Sequence, residues 1–206
     1  MRRQIFGCSD DAVARCAWVV KSGGVVVFPT DTIYGIGCDP YNYHAVERIF
    51  EIKGRNMKKA LPVLAFSLED AEKLVSLAGA GSVLAKKFWP GALTIVAPIA
   101  DKKISSMVTA DRDSLAVRVP ANKCILSLLK HCKYIVGTSA NLSGQKPMRS
   151  AQEVLDSQLD GYDALLDGGQ VETGIESTIV DVIGEPKILR EGAIKSKELL
   201  EIIGPV

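Results

Sequence analysis

Four apolar residues in a row, Val25-Val26-Val27-Phe28, run into Pro29 and then into Thr30-Asp31-Thr32. An uninterrupted β-branched run of this kind reads as a strand buried on both faces, and proline, which cannot donate to a sheet ladder, ends it. A strand covered on both sides needs other layers packed against it, so the run points to an α/β arrangement. The same punctuation recurs. Leu61 to Phe66 carries Pro62 near its start, Leu93 to Val96 follows Pro90-Gly91, and Leu115 to Val119 stops at Pro120. Tyr134-Ile135-Val136 empties into Gly137, and Leu165 to Gly169 and Ser177 to Val182 read as further strands. Lys187 to Arg190 is placed to pair with the last of these as a hairpin across Gly184-Glu185-Pro186, which makes the sheet mixed.

Between these runs the apolar spacing becomes helical. Ser9-Asp10-Asp11 is a cap and acidic first turn for a helix ending before Gly24. Ala45, Ile49, Phe50 and Ile52 share a helical face, which Gly54 closes in the left-handed conformation. Ser67 to Asp70 and Ser150 to Glu153 have capping-box spacing and open helices through Leu77 and to about Leu159. Val83 to Trp89, the stretch around Ile125, Leu128 and Leu129, and Lys197 to Ile203 are helical, whereas Ile104 to Asp113 lacks periodicity and reads as a loop. The expected fold is α/β, a twisted mixed open sheet flanked by helices, in a single domain over residues 1–206.

A chain of 206 residues buries roughly 70% of its unfolded surface and needs no covalent staples. Its five cysteines form no Cys-x-x-Cys pair and it has two histidines, so neither a disulfide framework nor a structural zinc site is expected. A reducing, cytoplasmic setting is the plain expectation. No apolar run reaches the ~18 residues of a membrane span, and Met1-Arg2-Arg3-Gln4 is not followed by a signal-peptide core. A net charge of +1 gives no global attraction to nucleic acid, so anion binding must come from local clusters such as Lys53, Arg55, Lys58 and Lys59.

The sequence lacks a Walker-type phosphate loop, a Gly-x-Gly-x-x-Gly turn, a His-Glu-x-x-His helix and a Gly-x-Ser-x-Gly elbow, and His44 and His131 stand alone. What remains is a set of hydroxyls and cations at strand ends: Thr30, Thr32, Lys53, Arg55, Arg118, Ser139, Asn141, Ser177, Thr178 and Arg190. In α/β sheets such ends converge on a ligand crevice. Arginine forks and lysine point charges suit phosphates, and group transfer at phosphorus needs little beyond positioning and charge neutralisation. Each piece also has a plainer reading. Thr30-Asp31-Thr32 is a turn sequence, a basic pair complements a helix C-terminus, and Ser139-Ala140-Asn141 can be a capped turn. Arg118 is harder to dismiss, because arginine inside an apolar strand must find an anion or a carboxylate.

Six segments in order resemble the threonylcarbamoyl-AMP synthase, or YrdC-like, family: Phe28 to Gly37, Lys53-Gly54-Arg55, Ser114 to Pro120, Ser139 to Gly144, Gly174 to Ile179, and Leu189 to Gly192. The resemblance covers nearly the whole chain, and the paired Lys-x-Arg and Ser-x-Asn signature is the mark of its active members. It implies a deep basic cavity and an enzyme, a nucleotidyltransferase that joins L-threonine, bicarbonate and ATP into L-threonylcarbamoyladenylate and pyrophosphate. Threonylcarbamoyl-transferase proteins would then modify the adenosine beside the anticodon of certain tRNAs. Magnesium would arrive with ATP, with no protein metal site. Carried over by position, Thr32, Arg118, Ser139 and Ser177 contact threonine, while Arg55, Lys59, Ser114, Asn141, Arg149 and Arg190 line the nucleotide. Lys53 and Arg55 supply catalytic charge at the phosphates. The sequence departs from the pattern at Lys59, where some members have Asn, at Leu64, where some have His, and at Arg149, where a small hydroxyl residue is common. The chain looks like the short, single-domain form. The alternative is a non-catalytic RNA-binding relative using the same cavity. A carbamoyl-handling relation to hydrogenase maturation is disfavoured, since its accompanying modules are not in this sequence.

Overall fold

The computed structural model describes residues 4–204; the basic start at Met1-Arg2-Arg3 and the last two residues lie outside the described residues. The first third contains β1 (Gln4–Gly7), α1 (Asp10–Lys21), β2 (Val26–Pro29), β3 (Tyr34–Gly37), α2 (Tyr43–Lys53) and β4 (Val63–Ala65). There follow α3 (Leu68–Leu74), α4 (Ala80–Phe88), β5 (Leu93–Pro98), α5 (Ser106–Thr109), β6 (Ser114–Arg118) and α6 (Lys123–Cys132). The remainder is β7 (Tyr134–Val136), β8 (Thr138–Ser139), α7 (Ala151–Asp156), β9 (Ala164–Asp167), β10 (Thr178–Asp181), β11 (Lys187–Arg190) and α8 (Ser196–Ile203).

The mixed α/β class holds, but the strands form two sheets, not the one expected. One has five strands in the order β1-β9-β2-β3-β8, the other six in the order β11-β10-β5-β6-β4-β7. β2 turns back on β3 as an antiparallel hairpin, so Thr30-Asp31-Thr32 forms the hairpin turn that its turn sequence suits. The chain changes sheets between β7 and β8, at Gly137. The sheets meet closely there: a Cβ on Gly37 would lie 1.7 Å from the Val136 carbonyl oxygen, so only glycine lets β3 approach β7. The sequence reading also missed β1, β3 and the short α5, each too brief to carry a hydrophobic period.

The opening run of β2 behaves as its pattern requires. Val25 and Val27 face one buried cluster, whereas Val26 and Phe28 face a second, formed with α1 and α6. Caps set the helix ends: Ser67 Oγ accepts from Asp70 N at 3.1 Å, Ser150 Oγ from Glu153 N at 3.1 Å, and Gly54 closes α2 at φ 57°.

One expectation fails outright. Cys8 and Cys124 are joined in a disulfide that spans 116 residues, with Cα atoms 5.5 Å apart. Spacing along the chain carries no trace of this pair, because it exists only once the junction of β1 and α1 lies over the first turn of α6. Cys16, Cys38 and Cys132 are free; burial pushes the Cys16 thiol up to about 12 and that of Cys132 up to about 11. Among the described residues no helix is long and apolar enough to cross a membrane.

Candidate functional site

Two adjoining cavities, of about 390 and 360 Å³, open where the sheets meet and share Arg55, Lys59, Ser139 and Glu176 in their walls. The larger is lined by six cations, Arg55, Lys58, Lys59, Arg112, Arg118 and Arg190, against one carboxylate, Glu176. This imbalance makes it an anion site although the chain is nearly neutral.

One end is built on the turn between β2 and β3. Thr30 Oγ1 accepts from the Thr32 and Ile33 amides at 3.1 Å each and donates to the Ile33 carbonyl at 2.6 Å, so a hydroxyl holds the turn from inside. Thr32 is fully buried. Arg118, at the end of β6, donates through Nη1 to Thr32 Oγ1 at 2.9 Å and through Nε to the Gly91 carbonyl at 2.9 Å. Its Nη2 lies 2.8 Å from Asp31 Oδ1, an ion pair of charges in contact without a well-directed hydrogen bond. Asp31 is thus the carboxylate that a buried Arg118 demanded. Burial lowers the Arg118 pKa, Asp31 raises it, and the guanidinium stays charged. On the facing wall Ser177 Oγ and Thr94 Oγ1 are 2.8 Å apart.

The other end is built on the C-terminus of α2. Lys53 is only 2% exposed. Its ammonium donates to the carbonyls of Ser139 and Asn141, the latter at 2.6 Å, while its own carbonyl accepts from Ser143 N at 2.9 Å. The sequence put a catalytic charge for phosphates at Lys53; the structure engages that charge in holding the 139–143 loop. Burial, with Arg55 nearby, brings Lys53 down to about 7. Asn141 Nδ2 donates to the Leu142 and Gln145 carbonyls, which leaves Oδ1 buried without a hydrogen-bond partner among the described residues. Arg55 Nη2 reaches the Ala60 carbonyl at 3.0 Å, and burial lowers its pKa. Arg190 grips the Ser177 carbonyl through Nη2 at 2.9 Å and pairs with Glu176 through Nη1 at 2.8 Å.

Of the residues singled out in the sequence, Thr32, Arg55, Lys59, Arg118, Ser139, Ser177 and Arg190 line the larger cavity, and Lys53 and Asn141 join at the smaller. Ser114 and Arg149 line neither. Ser114 shares the Arg118 face of β6 but lies roughly 13 Å further along it, at ~3.3 Å per residue. Arg149 is turned away to the Glu172 carbonyl at 3.1 Å and packs over Gly174. Sequence reasoning missed Asp31, Thr94, Arg112 and Glu176; for Asp31 the unpaired arginine in β6 was the available signal.

Fold and site together define a mixed α/β protein with an anion-binding cavity lodged between two sheets. The chain belongs to the Sua5/YciO/YrdC family, whose model, described as telomere recombination, matches residues 19–192. A threonylcarbamoyl-AMP synthase from Pyrococcus abyssi is 35% identical over 193 residues, 92% of this chain and 56% of its own length. One from Bacillus subtilis is 36% identical over 202 residues, 96% of this chain and 58% of its own. The chain therefore spans a little over half the length of these relatives. The crystal structure of P. abyssi Sua5 complexed with L-threonine matches with a TM-score of 0.92 at 32% identity, over 99% of this chain and 61% of that one.

Proposed function

We propose that this chain catalyses nucleotidyl transfer as an L-threonylcarbamoyladenylate synthase: L-threonine, bicarbonate and ATP give L-threonylcarbamoyl-AMP, pyrophosphate and water. The observation that carries this reading is the pair of adjoining cavities, one ending in buried hydroxyls around Arg118 and the other in Lys53, Arg55 and Asn141. Two ends of different chemistry suit two substrates of different chemistry.

Thr32, Ser139 and Ser177 offer hydroxyls to the ammonium, hydroxyl and carboxylate of threonine. Arg118 supplies the positive potential there while holding Thr32 in place. Arg55, Lys59 and Arg190 face the phosphates. The threonine amine takes up bicarbonate or CO2 as a carbamate, one carbamate oxygen attacks the α-phosphorus, and the bond to pyrophosphate breaks. Cations preorganised around the leaving group stabilise the charge that develops on it. Lys53 acts on this step through the loop that it holds. Ser114 and Arg149, which line neither cavity, are given no part in this step.

Magnesium fits this wall as a passenger on the triphosphate. No group of three or more metal-ligating side chains exists among the described residues, but Glu176 and the orphaned Asn141 Oδ1 are oxygen donors beside the phosphate cations. When bound, the ion would neutralise phosphate charge. The product suits a threonylcarbamoyl transferase acting on tRNA, in the cytoplasm, where ATP and tRNA are both found.

The deciding experiment incubates the protein with ATP, bicarbonate and each amino acid in turn, and reads pyrophosphate release and adenylate mass. A threonine-specific adenylate is expected. No product with any amino acid, together with steeply salt-dependent RNA binding, would replace the enzyme with an RNA-binding module.

A further inference from the structure

Each half of the Cys8–Cys124 disulfide is one residue contact removed from the turn that forms the amino-acid end of the cavity. Cys124 is buried in the first turn of α6, where Asn122 Oδ1 caps it by accepting from Cys124 N at 2.9 Å. Immediately before that cap, Ala121 N donates to Asp31 Oδ1 at 3.0 Å, the same oxygen that pairs with Arg118. Cys8 is exposed and approaches from the other side. A methyl placed on Gly168 would lie 2.7 Å from Pro29 Cγ and 3.2 Å from Cys8 Sγ, so Gly168 packs against both the sulfur and the proline that leads into Thr30. Two routes thus run from the bond to the cavity turn: Cys124 through Ala121 to Asp31, and Cys8 across Gly168 to Pro29.

We infer that this pair is a thiol–disulfide site whose redox state sets how firmly the Thr30–Ile33 turn is held, and with it the affinity for the small polar substrate. This inference rests on the proposed reading in taking that substrate to be threonine. Disulfides in proteins of the reducing compartments are commonly redox-sensing rather than structural. One sulfur here is open to solvent and to an incoming thiolate. A dithiol reductant supplies the two electrons. Its thiolate attacks the Cys8 sulfur, and Cys124 leaves as a thiolate and takes a proton. The reductant's second thiol then displaces Cys8, giving two thiols here and one disulfide on the reductant. Oxidised glutathione reverses the exchange. The protein stays folded in both states, because α1 remains packed on α6 through Val13, Ala17, Ile125 and Leu128.

The test compares the full chain oxidised with glutathione disulfide and reduced with dithiothreitol, each state verified by alkylation and mass spectrometry. Reduction is expected to raise the KM for threonine at least about threefold, the worth of one hydrogen bond, while the KM for ATP stays constant. Cys8→Ser is expected to show the reduced value in both buffers. Amide hydrogen exchange over residues 30–33 and 121–125 should quicken on reduction. An unchanged threonine KM, or free thiols at both cysteines under oxidising conditions, overturns the inference. If no amino acid reacts in either state, the functional reading falls with the substrate claim, and exchange still decides the clamp: equal protection in both states ends it.

Discussion

Lys53 Nζ donates to the Asn141 carbonyl at 2.6 Å, so the last residue of α2 and a loop far along the chain are one unit. Lys53→Met keeps the apolar stem and removes the donors, leaving the Ser139 and Asn141 carbonyls without this partner. A loss of roughly 2–4 kcal/mol is expected from two unsatisfied buried acceptors, measurable by urea unfolding. Turnover should fall further than stability alone explains, because the loop that carries Ser139 and Asn141 would lose its register.

The same lysine gives the protein an alkaline signature. Lys53 titrates at about 7 when folded, whereas an unfolded lysine keeps its proton to ~10.4. Between these values the unfolded chain binds more protons, so this residue's contribution makes stability rise with pH across that window. Thermal melts between about pH 7 and 8.5, below the range in which the raised thiols act in the opposite sense, should reveal the rise in the wild type and a flatter profile in Lys53→Met. A wild-type profile that falls over the same range would contradict the assignment.

Asp31→Asn removes the charge facing Arg118 and leaves a buried guanidinium unpaired. The expected destabilisation is about 3 kcal/mol, as for breaking one half of a buried pair, accompanied by a higher threonine KM because Thr32 is held by that arginine. Arg118 and Asp31 should be strongly non-additive in a double-mutant cycle.

Arg55→Ala should cost about 1.5–3 kcal/mol of transition-state stabilisation if the guanidinium bonds to phosphate. Pyrophosphate release would then fall roughly ten- to a hundredfold by the same principle. Unaltered release would remove Arg55 from the phosphate site.

Glu176 holds Arg190 at 2.8 Å in a half-exposed pair. Glu176→Gln frees the arginine for phosphate, and nucleotide binding without magnesium should tighten about two- to fivefold, within the ~1 kcal/mol of such pairs. Calorimetry with and without magnesium reads the effect directly.

How much of this was legible depended on the distance over which each feature is determined. Val25 to Phe28 announced a strand buried on both faces because the signal, an unbroken apolar β-branched run, is carried by those four residues themselves. The caps at Ser67 and Ser150 and the closure at Gly54 are equally local. Arg118 signalled that a partner must exist without saying that Asp31 was it, since strand order brings the two together. Lys53 reads in the sequence as a charge for phosphates or a complement to a helix C-terminus; its depth is set by the 139–143 loop folding over it. The second sheet was hidden because β8 has two residues and β3 is rich in glycine. The disulfide was unreadable for the same reason that it has consequences: it joins segments that nothing in their spacing relates.

The lodging of the cavity between two sheets has a further consequence, in time. Its walls come from β2, α2, β6, β8 and β11, so closing it requires pairings of long sequence separation, the kind that form late and slowly. During synthesis the Arg118 end lacks Ser177 until the start of β10, and the Arg55 end lacks Arg190 until β11 has emerged. A nascent chain therefore cannot complete the cavity wall before β11 is made. The first appearance of ligand protection in a refolding experiment would then time the docking of the two sheets.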